Sequence, residues 1–215
     1  MVRFEDIEDG YSLEERIAFF EAVYQRAAGN QAEIPWTSED AKPEVLEWLA
    51  ANPATTGARA VDVACGLGEN AEALAKAGYQ TLAFDVSKDA IEWAQKRYPD
   101  SKVEYHVADM FDLPADFGRF DLVHECYTLQ SLPDALREPA FAAIADLVKP
   151  GGTLLVYARV RPDGSAWETV PWPVMLGEFK AFEAAGLSMV SEVHFDAPGR
   201  SGMIPHAFLV YRREV

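Results

Sequence analysis

The sequence predicts an α/β protein with a mostly parallel sheet covered by helices on both faces. Three observations carry this. From residue 60 onward, short apolar runs alternate with segments of helical period, the pattern of strand-helix-strand units. The last two strand-like runs have no helix between them. A parallel crossover needs a dozen or more residues, so these two are expected as antiparallel neighbours. The chain has 215 residues, 49% of them hydrophobic, enough for one large domain.

The elements follow in order. Residues 12–28 read as an amphipathic helix. Ser12 and Glu15 make a capping box, Ile17, Phe20, Val23 and Tyr24 share one face, and Gly29-Asn30 ends it. Residues 29–43 are loop-like and contain Pro35-Trp36, and 44–51 make a short helix ended by Asn52-Pro53. Strands are expected at 60–64, 80–84, 103–107, 120–124, 153–158, 187–195 and 207–211, seven in all. Helices are expected at 70–77, closing at Gly78, and from a Ser87 cap to about Tyr98. Two more are expected, one ending near Val148 and one at 179–185, ended by Gly186. Pro139 is expected in the first turn of the helix before Val148, where a missing N–H costs little. A turn at Pro150-Gly151-Gly152 and a Gly/Pro-bearing loop before Ala207 complete the pattern. The division this suggests is an N-terminal helix and lid segment, 1–43, followed by a single domain, 44–215.

Lys plus Arg number 19 and Asp plus Glu 35, a formal net charge of −16. Such a surface repels phosphate backbones at long range, so no nucleic-acid partner is expected, and solubility is the plainer meaning of the charge. No apolar run approaches the ~18 residues that span a bilayer, and no membrane partner is expected. The acidic start, Met1 to Asp6, lacks the apolar stretch of a secretory signal. Cys65 and Cys126, far apart, suggest neither a disulfide framework nor zinc and suit a reducing cytoplasm. No metal site is expected, and there is no repeat or low-complexity tract.

In an open α/β sheet, ligands bind at the carboxyl ends of the strands. The first strand runs into Asp62-Val63-Ala64-Cys65-Gly66-Leu67-Gly68-Glu69-Asn70. Small residues at Ala64, Gly66 and Gly68 let the backbone approach a ligand and turn sharply into a helix. Asp85 ends the second strand, where a carboxylate can accept both hydroxyls of a ribose. Asp109 follows the third, where it can meet an adenine amino group. Three loops on one rim thus each suit one part of an adenosine. The plainer alternative is that the glycines only shape a turn and the acids only cap helices.

On these residues the chain resembles the class I S-adenosylmethionine-dependent methyltransferases. The resemblance covers about residues 44–215. It is carried by the Asp62-to-Gly68 loop, Asp85, Ala108-Asp109-Met110-Phe111, Phe120-Asp121-Leu122-Val123 and Leu147-Val148-Lys149-Pro150-Gly151-Gly152. It implies a Rossmann-like, seven-stranded, mostly parallel sheet with an antiparallel last strand. The cofactor implied is S-adenosylmethionine, leaving S-adenosylhomocysteine as product. Asp62, Ala64, Cys65, Gly66, Gly68 and Asn70 would surround the methionine end. Asp85 and Val86 would take the ribose, and Asp109, Met110 and Phe111 the adenine. Ala64 stands where the family has its first loop glycine, a departure that keeps the residue small. More loosely, Asn70, the Tyr24…Gly29…Pro35-Trp36…Pro43 segment and Pro171-Trp172-Pro173 are similar to the tellurite-, thiopurine- and halide/thiol-methyltransferase branch. An aromatic face such as Trp36 can contact a sulfonium for ~0.5–2 kcal/mol. It can equally staple the N-terminal helix to the sheet.

Methyl transfer from a sulfonium is an in-line displacement that needs no metal and no covalent intermediate. Holding the nucleophile in line can supply roughly 7–11 kcal/mol. A soft anion such as a thiolate needs no base, whereas oxygen or a protonated amine does. No catalytic residue is assigned from sequence. Glu125 is expected at the cofactor rim, opposite in direction to a structural His124. Tyr127, Trp172 and His206 are expected at the substrate. Cys126 reads as a small buried thiol, His106 and His194 carry no signal, and Trp48 and Trp93 read as core. Trp167, like Trp172, lies in a loop that covers the substrate or only packs on it.

Two other functions compete. Gly66-Leu67-Gly68-Glu69-Asn70-Ala71 also fits the dinucleotide pattern G-x-G-x-x-A, with Asp85 as ribose acid. Asp62 in the strand counts against a nicotinamide oxidoreductase. So does the position of Tyr98 and Lys102, a Tyr-x-x-x-Lys pair that brackets Pro99 before the third strand. A non-catalytic S-adenosylmethionine-binding sensor or subunit is the third possibility. The expected partner is a small-molecule acceptor, with a thiol or other soft nucleophile suggested by the looser resemblance. The acceptor atom, the use of a base, the oligomeric state and the pathway are not readable from these residues.

Overall fold

Seven strands lie side by side in the order β3-β2-β1-β4-β5-β8-β7. The computed structural model describes residues 12–167, 171–199 and 202–215. The strands are β1 (Arg59–Val63), β2 (Gln80–Asp85), β3 (Glu104–Val107), β4 (Phe120–Cys126), β5 (Val148–Arg161), β7 (Leu187–Gly199) and β8 (Gly202–Arg213), with a two-residue β6 (Val174–Met175) pairing β5. β1 to β5 are parallel, β8 is antiparallel to β5, and β7 is antiparallel to β8. The order reverses between β1 and β4, which opens a crevice at their carboxyl ends.

Alternation along the central strands feeds two cores. Val61 and Val63 of β1 and Val123 of β4 point to one face. There they meet Phe141 and Ile144 of α5 (Asp134–Asp146) and Phe182 of α6 (Lys180–Ala184). Ala60 and Leu122 point to the other. There they meet Val45 and Leu49 of α2 (Pro43–Ala51) and Leu74 of α3 (Glu69–Lys76). Ala83 of β2 packs on Ile91 of α4 (Lys88–Arg97). Burial on both faces is why the central strands are apolar throughout.

α1 (Leu13–Ala27) begins at the expected capping box: the Ser12 side chain accepts the Glu15 N–H, and Glu15 accepts the Ser12 N–H. Ser87 caps α4 through the Ala90 N–H. Three expectations need correction. Pro150-Gly151-Gly152, expected as a turn, lies within β5, where the register with β4 shifts. Pro139 lies inside α5, because the helix begins earlier, at Asp134 after Pro133. The expected loop before Ala207 is instead strand. β7 and β8 stay paired as far as Gly199 and Gly202, and this long hairpin reaches over the crevice. Pairing of backbone groups overrode the local turn signals of Pro198 and Pro205.

Arg137 of α5 is buried and fixes the segment that precedes α6. Its guanidinium donates to both Glu178 oxygens (3.0 and 2.7 Å) and to the Trp172 carbonyl (2.7 Å). Breaking a buried pair leaves the partner charge uncompensated. Arg137→Met is therefore expected to cost about 3 kcal/mol. For a chain of this size that lowers Tm by about 6–12 °C, measurable by thermal denaturation.

Candidate cofactor and acceptor site

A cavity of about 670 Å³ lies at the carboxyl ends of the strands, across the point where strand order reverses. Its floor is the loop after β1. Gly66 adopts φ +54° and Gly68 φ +85°, left-handed conformations that favour glycine. Gly66 lines the cavity, and a Cβ there would sit 3.4 Å from the Tyr24 hydroxyl, within the space between loop and lid. Gly68 does not line the cavity. It precedes α3, and a Cβ there would run into the Tyr105 hydroxyl. Ala64 also has a left-handed backbone, φ 50°, the conformation that explains why a glycine suits this position.

Asp85 is buried at the end of β2. One oxygen accepts the Gly66 N–H (3.0 Å) and the other the Ser87 N–H (2.9 Å). Burial pushes its pKa up to about 6, against the pull of those two N–H groups. Asp62 pairs through Oδ1 with His124 Nδ1 at 2.6 Å, neighbours in the β1–β4 register, and its Oδ2 is buried without a partner. His124 is fully buried, as expected of a structural histidine. Asp109 accepts from Arg16 Nη2 (2.9 Å) and from the Phe111 N–H (3.2 Å). Asp62, Ala64, Cys65, Asn70, Asp85, Val86, Asp109 and Met110 all face the cavity. Burial raises the Cys65 and Cys126 thiols well above their ordinary values, so neither is a ready nucleophile.

The N-terminal segment closes the wall. Trp36 lines the cavity and also staples: its Nε1 donates to the Tyr24 hydroxyl (3.0 Å), and its ring meets Phe20 and Tyr24 edge-on. Glu69 accepts from the Ser38 N–H (2.8 Å) and Arg97 (3.1 Å), and Asn70 Oδ1 accepts the Lys42 N–H (3.3 Å). Arg16 and Glu69 escaped the sequence reading. Arg16 is a lone charge buried on the inward face of α1, one turn from Phe20, and its Asp109 partner is 93 residues away.

Besides Gly68, four expected residues stand elsewhere. Glu125 is fully buried on the other face of β4 and does not reach the rim. Its Oε1 accepts the N–H groups of Thr128 (2.9 Å) and Leu129 (3.0 Å), and burial pushes its pKa up to about 7. Phe111 packs against the core beneath Arg16, 4.9 Å from the guanidinium carbon. Trp172 is held by its backbone, its N–H donating to the Gln130 carbonyl (2.8 Å). His206 is buried behind the wall, its Nε2 2.9 Å from the Tyr127 hydroxyl. Tyr127 lines the cavity with φ 66°, and so does Trp167.

Residues 60–152 match the family model described as a methyltransferase domain. The chain is 38% identical over 117 residues to a ubiquinone biosynthesis O-methyltransferase of Xanthomonas campestris pv. campestris, covering 53% of this chain and 48% of that protein. It thus spans about half the length of the curated relatives it matches. Its fold is similar to Burkholderia thailandensis 1,6-didemethyltoxoflavin-N1-methyltransferase with bound S-adenosylhomocysteine. The TM-score is 0.72 at 17% identity, covering 97% of this chain and 93% of that one. It is also similar to a structure solved on the conversion of a disulfide bond into a thioacetal group during echinomycin biosynthesis. There the TM-score is 0.74 at 20% identity, covering 92% and 91%.

Left-handed backbone at an alanine costs about 1–2 kcal/mol. Part of that returns as unfolded-state freedom when glycine replaces it. Ala64→Gly is expected to leave Tm unchanged or raise it by a few degrees. A fall of more than about 4 °C, roughly 1–2 kcal/mol at this size, would contradict the strain assigned to this loop.

Proposed function

We propose that the protein is a class I S-adenosylmethionine-dependent methyltransferase that moves a methyl group to a small-molecule acceptor, a reading supported by the methyltransferase-domain match over residues 60–152. S-adenosylmethionine is the cofactor and S-adenosylhomocysteine the product. The observation that carries the reading is the rim itself. A left-handed glycine loop, a buried acid after β2 and an acid after β3 border one cavity, in the order an adenosine with a methionine tail would need. The fit is good at the ribose. Asp85 accepts the Gly66 N–H on one oxygen and the Ser87 N–H on the other, with the Val86 N–H also close, and lone pairs remain for hydroxyl donors. Bound there, S-adenosylmethionine supplies an activated methyl group on a sulfonium.

The protein's own residues then position and deprotonate the acceptor. We favour an oxygen nucleophile, as the names of the curated relatives suggest. His206 Nδ1 lies 2.7 Å from the Ile204 carbonyl and must carry the hydrogen. Nε2 is then left to accept from the Tyr127 hydroxyl. Burial, with Arg159 and Lys42 nearby, lowers the His206 pKa, so the ring is neutral at pH 7 and open to a proton. An acceptor hydroxyl would pass its proton to the Tyr127 oxygen while the Tyr127 proton moves to His206 Nε2. A thiol acceptor needs no such path.

Two results test the reading. S-adenosylhomocysteine needs the Asp85 carboxylate ionised, and its pKa in the free protein is about 6. Calorimetric affinity is expected to be flat above pH 7 and to fall toward tenfold per pH unit below about 6. Asp85→Asn is expected to bind at least ~10-fold more weakly at pH 8, the cost of one charged hydrogen bond, and to lose the pH step. Incubation with S-adenosylmethionine and a panel of phenols, alcohols, thiols and amines, read as S-adenosylhomocysteine release, identifies the acceptor atom. No turnover across the panel together with no binding would overturn the proposal.

A further inference from the structure

We propose that the acceptor carries an oxyanion, a carboxylate or phosphate group, which docks on Arg159 beside Lys42 and Tyr127. This deepens the methyltransferase reading and rests on it only for what lies next to the acceptor.

The charged groups around the cavity divide into two sets. On the side of β1, β2 and β3, every one is engaged. Asp62 meets His124, Glu69 meets Arg97, Asp109 meets Arg16, and Asp85 takes two backbone N–H groups. Across the reversal point, on β5, Arg159 faces the same cavity and forms no ion pair among the described residues. Its backbone N–H is fixed by Gln130 Oε1 (2.6 Å), which holds the residue in place. Its Nε is buried and has no hydrogen-bond partner. Its guanidinium carbon lies 5.6 Å from the centre of the Tyr127 ring.

Lys42 approaches the same tyrosine from the lid, its Nζ 5.0 Å from the Tyr127 ring centre and 5.7 Å from that of Tyr157. Its hydrogen-bond partner is the Ser38 hydroxyl (3.3 Å), not a carboxylate. The protein has 35 acidic side chains to 19 basic ones. Two cations that form no ion pair among the described residues meet on one tyrosine, Arg159 at the cavity wall and Lys42 behind it, and they run against that excess. An unpaired, partly buried guanidinium is costly unless something supplies the charge. A planar guanidinium at the cavity wall that no carboxylate holds can take the two oxygens of a carboxylate or phosphate on its Nη groups. The cationic donor and these two cations would then flank an anionic acceptor from both ends.

Matched probe pairs test this directly. Benzoate and benzamide, 3-phenylpropanoate and its amide, and phenyl phosphate are titrated into the full-length protein with and without S-adenosylhomocysteine. Wild type is compared with Arg159→Gln, with Lys42→Met and with Arg26→Gln, which removes an exposed cation of α1. The proposal expects at least one anion to bind wild type ~10-fold or more tightly than its neutral partner. Arg159→Gln should erase that preference, Lys42→Met should reduce it, and Arg26→Gln should keep it. Stronger binding of phenyl phosphate than of either carboxylate assigns the oxyanion to phosphate, and the reverse assigns it to carboxylate. Equal binding of anions and amides by wild type, or a preference that survives Arg159→Gln, would overturn it. S-adenosylhomocysteine affinity is read in the same variants. Its absence in wild type would defeat the methyltransferase reading, while the anion contrast without it would still decide this one.

Discussion

The Asp85 carboxylate joins the pieces on which the cavity depends. It is buried at the end of β2, and it takes one N–H from the loop after β1 and one from the start of α4. The loop after β1 is thereby held in the left-handed geometry that Gly66 and Ala64 adopt. A buried acid in that position is costly, which is why its pKa rises to about 6. Burial leaves lone pairs in a dry place, where hydrogen bonds to a ligand are worth more than in water. One residue thus shapes the floor of the cavity and, in the proposed function, offers the lone pairs that a ribose would take.

The N-terminal segment completes what the sheet leaves open. Arg16 crosses to Asp109, Trp36 and Tyr24 lean over Gly66, and the backbone around Ser38 and Lys42 is tied to Glu69 and Asn70. These contacts neutralise the acids at the ends of β1, β2 and β3, which would otherwise repel one another in a low dielectric. The acceptor side is built differently. Arg159 forms no ion pair among the described residues, Tyr127 is held by His206, and the β7–β8 hairpin extends Pro198, Gly199 and Ile204 over the opening. The asymmetry follows from the switch in strand order. The ends of β1, β2 and β3 face one end of the cavity, and the ends of β4 and β5 the other.

The features legible in the sequence were those set by local chemistry. The Ser12 and Ser87 caps, the alternation that buries both faces of β1 and β4, and the antiparallel final pair all stand in the structure. The glycine loop and the acids Asp62, Asp85 and Asp109 do border one cavity. What local chemistry does not determine was misread. Alternation placed Glu125 opposite His124, as β4 does, but could not tell that its carboxylate turns back to hold the Thr128 and Leu129 N–H groups. Pro139 was expected at a helix start because the start at Asp134 lacks a side-chain cap to announce it. Arg16–Asp109 and Tyr127–His206 are contacts between distant segments, 93 and 79 residues apart, and no spacing rule reaches that far.

The central claim is that this crevice is made for an adenosyl-sulfur ligand and not for a dinucleotide. The direct test is a thermal-shift and calorimetric comparison of S-adenosylmethionine, S-adenosylhomocysteine and NAD(H) on one preparation. A ligand at ~100 times its dissociation constant adds ~2.7 kcal/mol, a shift easily resolved. The account predicts stabilisation by both adenosyl-sulfur ligands and none by NAD(H). Stabilisation by NAD(H) alone would contradict it and turn Asp85 into a dinucleotide acid.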